Sequence, residues 1–101
     1  MDLTITKKNQ ESSVVLILEG WLDTGTSPKL GDVLDEIDGT VQKLLLDFQG
    51  IEYISSAGIR MLIRAYKQMH AQSGELVLQH VRPNVLEILK MSRLDQKLTI
   101  E

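Results

Sequence analysis

Hydrophobic positions along the chain recur with two different periods. "LTIT" (3 to 6) alternates apolar and polar residues, and "VVLILEG" (14 to 20) is a β-branched and aliphatic run ended by glycine. The polar stretch "KKNQESS" between them is rich in turn formers, so the pair predicts an antiparallel hairpin. The period then changes. Leu30, Val33, Leu34 and Ile37 fall at helical spacing, with Ser27 as the expected N-cap, Pro28 as the first helical residue and Gly39 as the stop. Asp32, Asp35 and Glu36 fall between the apolar positions, on the expected outer face.

"KLLLDF" (43 to 48) is a continuous apolar run and predicts a central strand buried on both faces. A short loop should follow Phe48, and a helix should begin near Ser56. That helix places Ile59, Leu62, Ile63, Tyr66 and Met69 on one side and Arg60, Arg64 and Lys67 on the other. "GELVLQH" (74 to 80) predicts another strand, Pro83 opens a helix carrying Val85, Ile88 and Leu89, and "KLTI" (97 to 100) predicts a last edge strand. The order is β-β-α-β-α-β-α-β: an α/β domain with a mixed sheet of four to five strands and helices packed mainly on one face.

Composition narrows the picture without changing it. At 101 residues the chain fits one domain, spanning 1–101, and its 43% hydrophobic and 25% charged residues are those of an ordinary globular protein. A net charge of -3 and a pI near 5.3 give no general attraction to nucleic acid or to an anionic membrane. Cysteine is absent, which removes disulfides and thiol chemistry. No stretch has the length of a membrane span and the amino terminus lacks an apolar leader core, so a cytoplasmic protein without direct membrane insertion is expected.

The one stretch that invites chemistry is "ISSAGI" (54 to 59), where small residues separate a strand-like run from a helix-like run. Ser55 and Ser56 at a helix N-terminus would meet outward-pointing N–H groups and the positive end of the helix dipole. A phosphate on Ser56 would be tolerated there, Arg60 one turn on could pair with it, and Ala57 and Gly58 would leave room for an approaching protein. The structural alternative is a serine N-cap with close packing behind it. His70 and His80 sit in no metal-ligand pattern, no phosphate loop or nucleophile elbow is present, and neither metal, cofactor nor enzymatic activity is expected. Trp21, the sole tryptophan, should pack at the rim of the core, and Met61 at the edge of the apolar arc.

The segment "LLLDFQGIEYISSAGIRMLIRAYKQM" (44 to 69) resembles the signature of STAS domains, in particular of bacterial anti-sigma factor antagonists. "LEGWLDTGTSPKL" (18 to 30) and "VRPNVLEILKMSRLDQKLTI" (81 to 100) are similar to further family segments, in the family's order. The resemblance implies a protein that binds an anti-sigma factor with serine kinase activity and so releases a sigma factor. It further implies that phosphorylation switches the protein off and that a phosphatase restores it. It assigns the phosphoacceptor to Ser56, with Ser55 as the alternative, and partner contacts to Asp23, Thr24, Ser55, Ser56, Ala57, Gly58, Ile59, Arg60 and Met61. Ser55 stands where those antagonists commonly carry aspartate. A monomer is expected. Two other readings stay open: a STAS subunit of an ABC-type transport complex without a phosphorylation cycle, and a small enzyme or ligand carrier using the serine helix end as an anion site.

Overall fold

The computed structural model describes residues 2–101. The chain runs β1 (Leu3–Gln10), β2 (Ser13–Leu22), α1 (Ser27–Asp35), β3 (Lys43–Ile54), α2 (Ser56–Ala71), β4 (Glu75–Gln79), α3 (Pro83–Met91), a 3-10 turn (Leu94–Gln96) and β5 (Thr99–Ile100). The strands form one sheet in the order β1-β2-β3-β4-β5, with β1 antiparallel to β2 and every other pair parallel. Each parallel pair is joined by a helical connection, as parallel strands require.

The helices share one face of the sheet. Leu16 and Leu18 of β2, Leu44, Leu46 and Phe48 of β3, and Leu76 and Leu78 of β4 join one buried cluster with Leu30 and Leu34 of α1, Leu62, Ala65 and Met69 of α2, and Val85 and Leu89 of α3. On the opposite face Val15, Ile17, Leu45 and Asp47 are only half-buried. The central strand is therefore closed on one face and partly open on the other, not buried on both. Its unbroken apolar run reflects the middle position in the sheet, where neighbouring strands shield much of the second face.

Several element boundaries differ from those the sequence predicts. The hairpin strands continue through the polar stretch to a two-residue turn at Glu11 and Ser12, with Glu11 at φ 52°. Backbone pairing in register, Gln10 opposite Ser13, carries the ladder past the last apolar side chain. In α1 the N-cap is Thr26, so Ser27 is the first helical residue, and the helix ends at Asp35, well before Gly39. A 3-10 turn also precedes β5, burying Leu94 beside the core.

The largest difference lies in β3, which runs on to Ile54 instead of stopping at Phe48. Ile17 pairs with Asp47 but Glu19 with Gly50, and Gly20 pairs with Ile51 but Trp21 with Tyr53, so β3 carries one extra residue in each interval. These are bulges, and each shifts the alternation by one. The buried side chains step 44, 46, 48, then 51, then 54. A reading in steps of two loses the strand at the first shift, although the chain stays paired to β2 throughout. Gly50 sits at that shift, where a Cβ would lie 2.6 Å from Glu19 Cγ and 2.9 Å from the Leu18 carbonyl oxygen. Beyond the end of β4, two β3 carbonyls are met by side chains instead of a strand: Arg82 Nε donates to Gln49 and Asn84 Nδ2 to Glu52.

Candidate functional site

Because β2 and β3 are adjacent and parallel, both end on the same edge of the sheet, and α1 and α2 both begin there. Leu22 pairs with Ile54, and the Ser55 N–H donates to the Leu22 carbonyl at 2.9 Å, tying the two strand ends together. The segments entering the helices, Asp23–Thr26 and Ser55, thus face one another across a shallow depression that Tyr53 also lines.

The Asp23–Thr26 side is closed by its own hydrogen bonds. Asp23 Oδ1 accepts from the Gly25 and Thr26 N–H groups, both at 3.0 Å, while Thr26 Oγ1 accepts from the Asp23 N–H at 2.9 Å and donates to the Trp21 carbonyl at 2.7 Å. The Ser27 hydroxyl donates to the Asp23 carbonyl. Donation from the Thr26 N–H is the chief reason the Asp23 carboxyl is held below its usual pKa range. Thr24 stands exposed at the tip.

The α2 side is left open. Ser55 is the N-cap with extended backbone, yet its side chain makes no capping hydrogen bond, and its Oγ is shut away from solvent without a partner. The first intrahelical bond runs from the Ile59 N–H to the Ser55 carbonyl, which leaves the amides of Ser56, Ala57 and Gly58 outside the helical ladder. Ser56 is exposed as the first helical residue, and no acidic side chain sits in that first turn. An exposed hydroxyl among free amides can accept a phosphoryl group without burying its charge.

The remaining predicted residues divide into two groups. Arg60 is exposed and makes neither a hydrogen bond nor an ion pair among the described residues, whereas Arg64 pairs with Asp35 of α1. Gly58 faces inward: a Cβ there would meet the Leu22 carbonyl oxygen at 2.6 Å and Ile54 Cγ1 at 2.7 Å. The space it leaves is filled by the protein's own strand ends, so Gly58 opens no room for a visitor. Ala57, Ile59 and Met61 are half-buried, and Met61 reaches across to Gly31 of α1. The buried line of α2 is Gly58, Leu62, Ala65 and Met69, with Ile59, Ile63 and Tyr66 on its flank. Gly58 heads that line because the start of the helix lies close against the ends of β2 and β3.

Residues that were not anticipated complete the depression. Tyr53, 41% exposed, packs against half-buried Trp21 with ring centroids 5.1 Å apart, and Gly25 and Thr26 form its far wall. Tyr53 was hidden by the β3 bulges, whereas the Asp-Thr-Gly-Thr run carried a turn signal that marks Gly25 and Thr26. Elsewhere, His80 Nδ1 lies 3.1 Å from Asp47 Oδ1, and His70 stacks on Tyr66. Among the described residues no cluster of three or more His, Cys, Asp or Glu side chains could hold a metal ion, and no helix is long and apolar enough to cross a membrane.

Comparison with known proteins converges on one family. The chain is 28% identical over 91 residues to a candidate anti-sigma factor antagonist, BtrV of Bordetella bronchiseptica, covering 89% of this chain and 78% of BtrV. It is 27% identical over 96 residues to the anti-sigma F factor antagonist of Paenibacillus polymyxa, covering 93% and 82%. A candidate anti-sigma factor antagonist from Thermotoga maritima has the same fold, with a TM-score of 0.88 at 20% identity over 95% of this chain and 84% of that one. The fold also matches a sulfate transporter family protein from Wolinella succinogenes, with a TM-score of 0.79 at 20% identity over 91% and 75%. With the STAS domain model matching residues 4–101, nearly the whole length, this chain belongs to the STAS domain family.

Proposed function

We propose that this protein is an anti-sigma factor antagonist that docks on a kinase-type anti-sigma factor, frees the sigma factor, and is released when Ser56 is phosphorylated. The observation that carries the reading is Ser56 itself: an exposed hydroxyl at the first position of a 16-residue helix, with no acidic neighbour in that turn. The antagonist names of relatives that align over about nine-tenths of the chain support the same role. Phosphorylation adds about -1.5 to -2 charge at neutral pH, which is poorly desolvated in an interface. Asp23, Thr24, Ser55, Ser56 and Arg60 form the exposed or partly exposed part of the docking face, with Ala57, Ile59 and Met61 at its margin. The protein acts without cofactor or catalytic activity of its own, as a cytoplasmic monomer, and a phosphatase resets it.

The test is reconstitution with the anti-sigma factor and ATP. Intact mass and peptide mapping should find one phosphate, on Ser56, and Ser56→Asp should weaken the complex at least ~10-fold, equivalent to about 1.4 kcal/mol. Unchanged affinity of Ser56→Asp, or phosphate on another residue, overturns the switch. The likeness to a sulfate transporter family protein supports a second reading, a transport-complex subunit docking through the same face without modification. Co-purification with a transporter ATPase, together with Ser56 unmodified under every growth condition, would favour it.

A further inference from the structure

Resting on Ser56 as the acceptor, we infer that its phosphate is held in cis by Arg60, with the Ser55 hydroxyl as a second donor, and that this capture withdraws Arg60 from a basic groove on the outer face of α2. The register of the helix brings the partners together. Ser56, Arg60 and Arg64 are all exposed and follow one another at i, i+4 spacing, so they form one line along the helix surface. An anion N-terminal to a cation at this spacing is the favoured orientation.

Only one arginine on that line is available. Arg64 is engaged by Asp35 across the α1–α2 contact, while Arg60 has no partner among the described residues. Lys67 is also unpaired, but it lies eleven residues from Ser56, about 16 Å along the axis, beyond the reach of a phosphate there. Arg60 presents a planar, permanently charged fork that can take two phosphate oxygens at once.

Ser55 holds a hydroxyl in reserve beside the acceptor: its Oγ is enclosed and unpartnered, so turning outward about χ1 to meet a phosphate breaks no hydrogen bond. No acidic side chain in the first turn competes for the same donors.

The capture changes a second surface. Arg60, Ile63, Arg64 and Lys67 line a groove with Ile63 as its apolar floor. With Arg64 already paired, Arg60 and Lys67 are its free cations, and the phosphate removes one of them. Phosphorylation thus draws a positive group out of this groove as well as adding a negative one at the helix start. The shorter, singly charged side chain of Ser56→Asp reproduces the second effect better than the first.

The test uses the full chain with phosphoserine installed at position 56 by genetic code expansion, followed by phosphorus NMR through the second phosphate ionisation, ordinarily near pH 6. The otherwise unaltered protein should titrate at least ~0.5 unit below its Arg60→Gln variant, about a threefold difference in proton affinity. Lys67→Gln should leave the titration in place, and Ser55→Ala should shift it upward by part of the Arg60→Gln effect. All three positions are at or near the surface, and amide spectra establish that the variants keep the fold. Coincident titrations with and without Arg60 overturn the latch, as does a Lys67→Gln shift as large as that of Arg60→Gln, the mark of a diffuse field. Because the phosphate is installed without a kinase, failure of the anti-sigma factor to modify Ser56 would remove the acceptor assignment and leave the titration result standing.

Discussion

Two helices begin side by side on one edge of the sheet, and they begin in opposite ways. At α1 the entering segment satisfies itself: Asp23, Thr26 and Ser27 exchange hydrogen bonds with the local backbone, and Pro28 stands in the first turn, where a missing N–H costs nothing. At α2 the capping hydroxyl has no partner and the following serine is exposed. Both segments are rich in small hydroxyl residues, so composition alone makes them alike. What separates them is where the hydroxyls are used. One start is a finished structural element, and the other leaves the Ser55 hydroxyl and the first helical amides without partners in the fold.

Substitutions should break this contrast in a definite order. The largest effect belongs to the packing beneath the open start. Gly58→Val, driven into the Leu22 carbonyl and Ile54, should lower stability by about 3 kcal/mol in urea denaturation. A loss below ~1 kcal/mol would mean that α2 can lift from the strand ends. Next comes the closed start. Thr26→Val keeps the volume but strips partners from the Trp21 carbonyl and the Asp23 N–H, and should cost about 2 kcal/mol.

The electrostatics of the closed start should show in acid. The Asp23 carboxyl is held below ~3.9, its ordinary value, so its share of the stability is complete above that pH and is lost as pH falls through the lowered folded value. Carboxyl NMR titration should find Asp23 below a peptide reference, and Thr26→Val, which loses the hydroxyl contact to Asp23 Oδ1 but keeps the N–H donor, should move it only part of the way back. The smallest effect belongs to the open start. Ser55→Ala should leave stability unchanged or raise it by up to ~1 kcal/mol, since the hydroxyl it removes has no partner. A loss above ~1 kcal/mol would show that Ser55 caps its helix after all and would erase the contrast with Thr26.

Much of the fold is legible in the sequence, because its cues are local. Pro83 marks the start of α3, the aliphatic runs at 14–18 and 44–46 mark the two central strands, and the helical spacing of Leu62 and Met69 marks α2. The start of α2 at Ser56 was legible for the same reason, since an apolar run followed by small hydroxyl residues changes the period abruptly. The second half of β3 was not. Ile51, Tyr53 and Ile54 are strand formers, but the two bulges exist only opposite β2, and nothing local joins this run to Leu44–Phe48 as one strand. Gly58 was misread as open space because the space it leaves is occupied by Leu22, more than thirty positions away in the chain.

By itself, the sequence determined the kind and order of the elements, the family signature, and the presence of serines at a helix start. These follow from periodicity, capping and composition, which act over a few residues. The tertiary structure alone decided which hydroxyl is spent and which is left unpartnered, that Arg64 is engaged while Arg60 is not, and that Tyr53 packs on Trp21 and lines the depression with Ser55. Those outcomes depend on distances between segments remote in the chain, and such distances are fixed only when the sheet closes and its helices settle against one face.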